Sequence, residues 1–350
     1  MILHVEESND ENLEQEMRDI AARLELSDYR EALYFPKYFQ IETTRLCNAR
    51  CTFCAIDQWS KETTFMSDAL FEKVATELGQ YKHWVKMVNL NRTGEPLVDK
   101  KIIDRVARVC ELGMKMVSIS TNASLLTPEK IRGLIEAGLH EMWISIDSVY
   151  QEVYEAQRIG LSYEQVMENI RTVFRLRDEL KSSMLIRMRG VCLYDLDSPE
   201  GKRELAGWED YWKKYQGPRD RIYMKRPHNW GNQIDLKERI QEEHANGLTY
   251  HPCIVPWSTL HVTAMGKVPL CGQDFDALMN VGDVHQQTIA EIWKGPVWTR
   301  IREQHQSGRR NEINFCQGCK LWDLDFKLEK QTAKPPKLHS IDVIRLKKTG

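Results

Sequence analysis

No stretch of this 350-residue sequence approaches the ~18 consecutive apolar residues of a membrane-spanning helix. The start, MILHVEESNDENLEQEM, turns acidic at once instead of running from a basic segment into an apolar one, so nothing in it reads as an export signal. Neither sign of charge is in excess: 49 Lys and Arg against 51 Asp and Glu leave a net charge of −2, which gives no electrostatic basis for binding a nucleic acid or an acidic membrane face. Internal repeats and low-complexity tracts are missing as well. No G-x-G-x-x-G follows the first predicted strand, which removes the main signature of a dinucleotide-binding fold. The expectation is a cytoplasmic protein that binds neither nucleic acid nor membrane.

The composition, 42% hydrophobic and 29% charged, is that of a globular protein, and the length favours one large domain with a smaller one. β-rich runs at 38–44, 85–91, 115–121, 141–147, 183–193 and 221–226 alternate with helical patterns. Ser67, Asp99, Thr127 and Ser162 stand at the helix starts, while Gly113 and Gly138 stand at two ends. Such alternation predicts parallel strands with crossover helices, an α/β fold: a partial (β/α)6 TIM-like barrel over 38–227, with an acidic helical extension at 1–37. Residues 228–251 read as a polar linker. Beyond them, two strands around Met265-Gly266 and a helix broken at Gly295-Pro296 predict a small α+β domain at 252–325, followed by a basic tail at 326–350.

The nine cysteines are odd in number and mostly grouped at short spacing, which suits metal ligation in a reducing compartment better than disulfides. Cys47, Cys51 and Cys54 form C-x3-C-x2-C directly after the first strand. Three thiolates can hold three irons of a cubane cluster and leave the fourth iron without a protein ligand. A structural zinc site needs four ligands, and no histidine or further cysteine lies within twenty residues. Cys253, Cys271, Cys316 and Cys319 form C-x17-C…C-x2-C, a complete shell that suits either a [4Fe–4S] cluster or zinc. Cys110, on a predicted helix, reads as a small buried apolar group. His83, His228, His251 and His261 have no ligand-like spacing.

CNARCTFC, with the aromatic Phe53 before its last cysteine, resembles the signature of the radical S-adenosylmethionine (radical SAM) family. The resemblance implies the same partial barrel, with a [4Fe–4S] cluster whose open iron is chelated by the amino and carboxylate groups of SAM. It further implies an electron donor such as flavodoxin or ferredoxin, and cleavage of SAM to methionine and a 5′-deoxyadenosyl radical that abstracts hydrogen from substrate. Gly94, Glu95 and Pro96 match the family's GGEP-like contact to the SAM amino group, with Thr93 in place of the first glycine. Ser120, Thr121 and Asn122 fall where the family places a polar SAM contact. Ser145 and Asp147 resemble its S-x-D element near the ribose, and Arg158 falls where a SAM carboxylate partner stands. The segment from Pro252 through Trp257, Gly266, Cys271, Asn280–Asp283 and Ile292-Trp293 to Cys316 is similar to the SPASM/twitch extension of that family, which favours iron–sulfur over zinc at the second group. Full SPASM domains carry further cysteines. None follows Cys319, so one auxiliary [4Fe–4S] cluster is implied, as electron acceptor or relay or as a staple between domains. The spacing is similar to that of twitch-bearing aminocyclitol dehydrogenases.

The substrate must be sought in the lumen. On the fifth strand Arg187, Arg189 and Val191 share one face, and Ile186, Met188, Gly190 and Cys192 share the other. Two unpaired guanidinium groups under the outer helices would be costly, so the arginines are expected to face the lumen and Cys192 the helices. Tyr223 and Lys225 join the lumen by the same alternation. These groups suit a small polar anionic substrate of the sugar, aminocyclitol or nucleoside type. Epimerisation needs a hydrogen donor, usually a thiol. With Cys192 turned away, oxidation is the expected outcome, and an epimerase or a peptide maturase is the alternative. A maturase would be expected to carry a peptide-recognition domain and a second auxiliary cluster. A non-catalytic metal scaffold is the competing class.

Overall fold

The computed structural model describes residues 6–58, 65–195, 198–225, 252–317 and 319. The N-terminal segment forms α1 (Glu6–Arg23), after which strands and helices alternate. They are β1 (Tyr38–Ile41), β2 (Arg50–Cys51), α2 (Asp68–Gln80), β3 (Met87–Asn89), α3 (Ile102–Glu111), β4 (Val117–Thr121), α4 (Pro128–Glu136) and β5 (Glu141–Ser145). There follow α5 (Gln151–Gln157), β6 (Arg158–Ile159), α6 (Tyr163–Glu179), β7 (Leu185–Val191), α7 (Pro199–Lys213) and β8 (Arg221–Lys225). The C-terminal part holds α8 (Val255–Ser258), β9 (Thr259–Val262), β10 (Lys267–Pro269), β11 (Asn280–Asp283), α9 (Ile289–Lys294) and α10 (Pro296–Gln306).

Local chemistry sets the helix ends. The hydroxyls of Ser67, Thr127, Ser162 and Ser198 accept the backbone N–H groups of Leu70, Lys130, Gln165 and Gly201. Gly113 and Gly138 follow two helices at φ +83° and +84°, a conformation that side chains other than glycine rarely adopt. Asp99 does not begin its helix: its carboxylate accepts from Lys101 N at 2.9 Å and the helix starts only at Ile102. The helical pattern over 288–306 is broken at Gly295-Pro296, as its sequence requires.

Six parallel strands stand in the order β8-β7-β5-β4-β3-β1, the open (β/α)6 sheet of the sequence analysis. Each is shorter than its β-rich run. The sequence analysis identified neither α5, β6 nor α7 as elements. A larger difference concerns 258–272, which the sequence reads as two strands around one turn. The turn exists, with Gly266 at φ +79°, but β9 pairs parallel with β1 and becomes a seventh strand, Tyr38 opposite Thr259 and Ile41 opposite Val262. Only β10 remains local, antiparallel to β11. Cys110 is half-buried, not buried, and its thiol meets the Gly138 carbonyl at 3.2 Å. The linker at 228–251 and the tail at 326–350 lie outside the described residues.

One hydrophobic core runs from Phe39 and Ile41 through Val88, Ile119 and Ile144 to Trp293 and Trp298, so the C-terminal elements share it with the barrel. A second cluster packs Met17 and Ile20 of α1, with Leu24 just past its end, on Ile254 and Trp257. Between the two parts lies a buried ionic knot. Glu42, just past β1, faces the Arg92 guanidinium at 3.5 Å and the Arg45 Nε at 4.0 Å, accepts from Thr93 Oγ1, and accepts from Ala264 N at 2.9 Å. Arg92 then donates to the carbonyls of Asp274 and Phe275, the latter at 3.1 Å, and Arg45 pairs with Asp276.

Replacing Glu42 with Ala takes from the buried Arg92 its strongest counter-charge and leaves the weaker field of Asp274, so the unfolding free energy should fall by about 3–5 kcal/mol. Denaturant melts of Glu42→Ala beside wild type check this; an unchanged midpoint and slope would remove the knot from the account of stability.

Candidate active site

The loop that leaves β1 carries Cys47, Cys51 and Cys54. A two-residue antiparallel pairing fixes it: β2 lies on β6, which sets Cys51 opposite Arg158. Cys54 N donates to Cys51 O at 3.0 Å and completes a tight turn. All three sulfurs line one cavity at the C-terminal ends of the strands, where parallel barrels keep their active sites. Burial pushes the thiol of Cys47 up to about 11 and that of Cys54 up to about 12. The neighbouring thiols add to the rise, as expected of sulfurs gathered in one place. Burial also raises Cys51, against the opposing field of Arg158.

The TGEP segment packs on this loop from below. A Cβ on Gly94 would lie 2.5 Å from the carbonyl oxygens of both Thr44 and Leu46, so only glycine fits. Glu95 N donates to Leu46 O at 2.8 Å. The Glu95 carboxylate is buried and accepts from Leu97 N at 3.1 Å, Thr121 Oγ1 at 2.8 Å and Asn122 N at 2.7 Å, which ties the end of β3 to the end of β4. Burial raises its pKa, and these three donors oppose the rise. Asn122 reaches on to Asn48 Oδ1 at 3.0 Å and so touches the cysteine loop itself. Pro96 starts the short 3-10 turn that follows and is buried.

Ser120, Ser145 and Phe53 line the same cavity. Asp147 and Arg158, expected there as separate contacts, face each other at 2.5 and 3.1 Å, and Asp147 also accepts from Val191 N at 2.8 Å. The Arg158 guanidinium lies 5.4 Å from the Phe53 ring centroid. The lumen arginines divide. Arg187 is buried and paired with Glu141, whose other oxygen takes the Trp143 indole N–H at 2.5 Å. Arg189 lines the cavity, lies 5.5 Å from the Trp143 ring centroid and donates to Ser120 Oγ at 3.2 Å. Tyr223 is buried on β8 and Cys192 is buried in the hydrophobic core; Lys225 ends β8, but its side chain lies outside the described residues.

The second group comes together from three places. Cys253 precedes α8, Cys271 follows β10, and Cys316 and Cys319 close a turn in which Cys319 N donates to Cys316 O at 3.1 Å. Burial pushes Cys253 up to about 11 and raises Cys271 and Cys316, and each of these is raised further by other members of the set. Asp274 folds the loop after Cys271 by accepting from Leu278 N and Met279 N at 2.8 and 2.9 Å. Among the described residues no three Cys, His, Asp or Glu side chains are gathered tightly enough to enclose a single ion; the cysteines form two looser groups. Three thiols around one cavity and a second set of four buried or half-buried thiols are donor sets that fit a three-ligand and a four-ligand iron–sulfur cluster.

Three participants escaped the sequence analysis. Arg92 lines the first cavity while holding the Cys271 loop, Glu42 balances it, and His305 contacts the second cysteine group. For Glu42 a signal existed, since period-2 alternation places it on the lumen face with Gln40. His261, read as ordinary, is buried beside Gln40 at 3.0 Å, where burial and then Arg92 push it down to about 3.

Residues 41–191 match the radical SAM superfamily, and residues 253–320 match an iron–sulfur cluster-binding domain, SPASM. The chain is 34% identical over 111 residues to a tungsten-containing aldehyde ferredoxin oxidoreductase cofactor-modifying protein of Pyrococcus furiosus, a stretch covering 32% of this chain and 31% of that one. It is 23% identical over 282 residues to an S-adenosyl-L-methionine-dependent 2-deoxy-scyllo-inosamine dehydrogenase of Niallia circulans, covering 80% and 91% of the two chains. Among solved structures, BtrN in complex with AdoMet and 2-DOIA matches with a TM-score of 0.56 at 20% identity over 81% of this chain and 93% of that one. SuiB of Streptococcus suis bound to precursor peptide SuiA matches with a TM-score of 0.61 at 14% identity over 81% and 70%. At these identities the two structures establish a shared fold. No helix among the described residues is long and apolar enough to cross a membrane. With both family matches laid over the two cysteine groups in the same order along the chain, this protein belongs to the radical SAM enzymes and carries a C-terminal SPASM domain.

Proposed function

We propose that this enzyme removes hydrogen from a small, polar, anionic molecule and oxidises it. SAM bound at the first cluster supplies a carbon-centred radical by one-electron reductive cleavage. Cys47, Cys51 and Cys54 hold that cluster. Gly94, Glu95, Ser120, Asn122 and Ser145 wall the SAM site, with Phe53, Pro96, Asp147 and Arg158 bracing it. Cys253, Cys271, Cys316 and Cys319 hold one auxiliary cluster.

The observation that carries the substrate class is a guanidinium on the wall of the cavity that holds the first three cysteines. Arg187 is balanced by Glu141 and Arg158 by Asp147, both within buried pairs. Arg189 stands at the cavity wall, where it donates to the Ser120 hydroxyl and lies over the Trp143 indole face. A substrate carboxylate or phosphate there gains a charge-assisted hydrogen bond in partly dehydrated surroundings. Cys192 lies in the core with Ile186 and Met188, whereas Arg189 and Val191 line the cavity, so the strand offers no thiol to return hydrogen to the substrate. That favours oxidation over epimerisation. The likeness to a dehydrogenase along 80% of the chain points the same way.

Anaerobically reconstituted protein is expected to carry about eight irons, as two cubanes, and to release 5′-deoxyadenosine from SAM with dithionite. Ala at Cys47, Cys51 or Cys54 should abolish release; Ala at Cys253, Cys271, Cys316 or Cys319 should halve the iron and leave release intact. Zinc in place of iron, or no SAM cleavage with all seven cysteines present, would return the protein to the class of metal scaffolds.

Arg189→Met should weaken binding of an anionic substrate by about 1.5–3 kcal/mol, read as a raised KM, and Arg189→Lys should recover part of it. An equal KM in the Met variant would refute the anionic class. Turnover in deuterated water should yield a product two hydrogens lighter with no solvent deuterium on carbon; deuterium on a carbon centre, lost in Cys192→Ala, would instead establish epimerisation.

A further inference from the structure

His305, on α10, stands between two ligands of the second cysteine group and is buried to 1% exposure. Its Nδ1 accepts the backbone N–H of Cys253 at 3.0 Å. An amide N–H can only donate, so Nδ1 must carry the lone pair, and the ring's one proton in the neutral form is on Nε2. Nε2 lies 4.0 Å from Cys316 Sγ, at the outer reach of an N–H···S contact. The orientation is fixed from a third side, where the ring meets the Trp257 indole edge-on at 6.0 Å between centroids. Arg310, also buried, donates to the Cys319 carbonyl at 3.1 Å, which places a cation on the same side of the group.

We infer that His305 is a positioning residue of the auxiliary cluster, donating Nε2–H to the Cys316 thiolate and thereby raising the cluster's reduction potential. The inference rests on the reading that the four cysteines hold an iron–sulfur cluster. Hydrogen bonds to ligand sulfurs withdraw electron density from the thiolate and stabilise the more negatively charged reduced state, as does a nearby cation. A cluster poised in this way is a better electron acceptor, which is what an oxidation in the barrel requires of its neighbour. The same imidazole couples the start of the domain, at Cys253, to its end, at Cys316, so potential and ligand placement share one side chain.

The two roles separate by substitution. His305→Asn keeps an amide oxygen in reach of Cys253 N–H but is too short to donate to Cys316. His305→Gln places an amide N–H near the former Nε2 position. His305→Phe removes both bonds and keeps the ring packing on Trp257. Holoenzyme is titrated anaerobically and followed by EPR, with the SAM-binding cluster as internal reference. In His305→Asn and His305→Phe the auxiliary midpoint is expected to fall enough to make reduction at least tenfold harder, about 59 mV for a one-electron couple. His305→Gln should recover at least half of that shift, and the first cluster should not move in any variant. In wild-type protein exchanged into D2O, pulsed EPR of the reduced auxiliary cluster should show a weakly coupled deuteron that is absent from His305→Asn. Unchanged midpoints with full iron would overturn the proposal. So would a directly coupled nitrogen in the wild type, which makes His305 a ligand, or an absent deuteron coupling in a protein whose variants do not fold. If wild-type iron is only half of that expected, the cluster reading itself has failed, not the role of His305 within it.

Discussion

A single buried carboxylate, Glu42, decides how the two halves of this enzyme meet. It emerges just after β1, where the cysteine loop begins, and draws Arg92 from the TGEP segment and Arg45 from the loop itself. Those arginines then hold the backbone and side chain of the segment after Cys271. Burying such groups is expensive unless every charge is matched and every donor used. Here the matching partners come from four separate stretches of chain, so satisfying one carboxylate aligns the first cysteine loop, the TGEP turn and the C-terminal domain together. The geometry between the two cysteine groups is therefore a product of charge balance as much as of hydrophobic packing.

The lumen shows the same economy of charge. Its walls are rich in polar groups, yet most are consumed internally: Glu95 by three donors, Asp147 by Arg158 and a strand amide, Glu141 by Arg187 and Trp143. Residues that a sequence motif presents as ligand contacts thus double as braces between strand ends. Pre-satisfied groups do not reorganise when a cofactor arrives, which keeps the cavity rigid. The glycine of the motif serves a different end. Without a side chain it lets one loop's backbone touch the carbonyls of another, and no hydrogen-bonding residue could substitute for that closeness.

Much of this was legible in the sequence because it is local. Strand and helix periodicity, capping hydroxyls at Ser67, Thr127 and Ser162, and terminal glycines at 113 and 138 all act within a few residues, and the cysteine spacings are equally short-range. What escaped depends on partners distant along the chain. Nothing near Arg92 announces Phe275, nothing near Arg187 announces Glu141, and nothing in the run 259–262 distinguishes a hairpin strand from one that pairs with β1. The alternation argument located Arg187 and Arg189 together, but only the fold shows that Arg187 pairs with Glu141 while Arg189 lines the cavity. His305 was invisible for a related reason, since its two contacts belong to cysteines at opposite ends of the domain.

The parallel pairing of β1 with β9 has a consequence for synthesis on the ribosome. Tyr38 is among the first barrel residues to emerge and Thr259 among the last needed, so one edge of the first strand exposes unpaired backbone while most of the chain is still being made. Pairings this distant in sequence close late and slowly. The nascent barrel carries its first cysteine loop directly beside that open edge, and the final alignment of the loop waits on the same late strand whose connection to Cys271 brings in the second group. Completion of the two cysteine groups is thereby ordered by topology: neither has its full surroundings until the C-terminal elements have docked against the barrel.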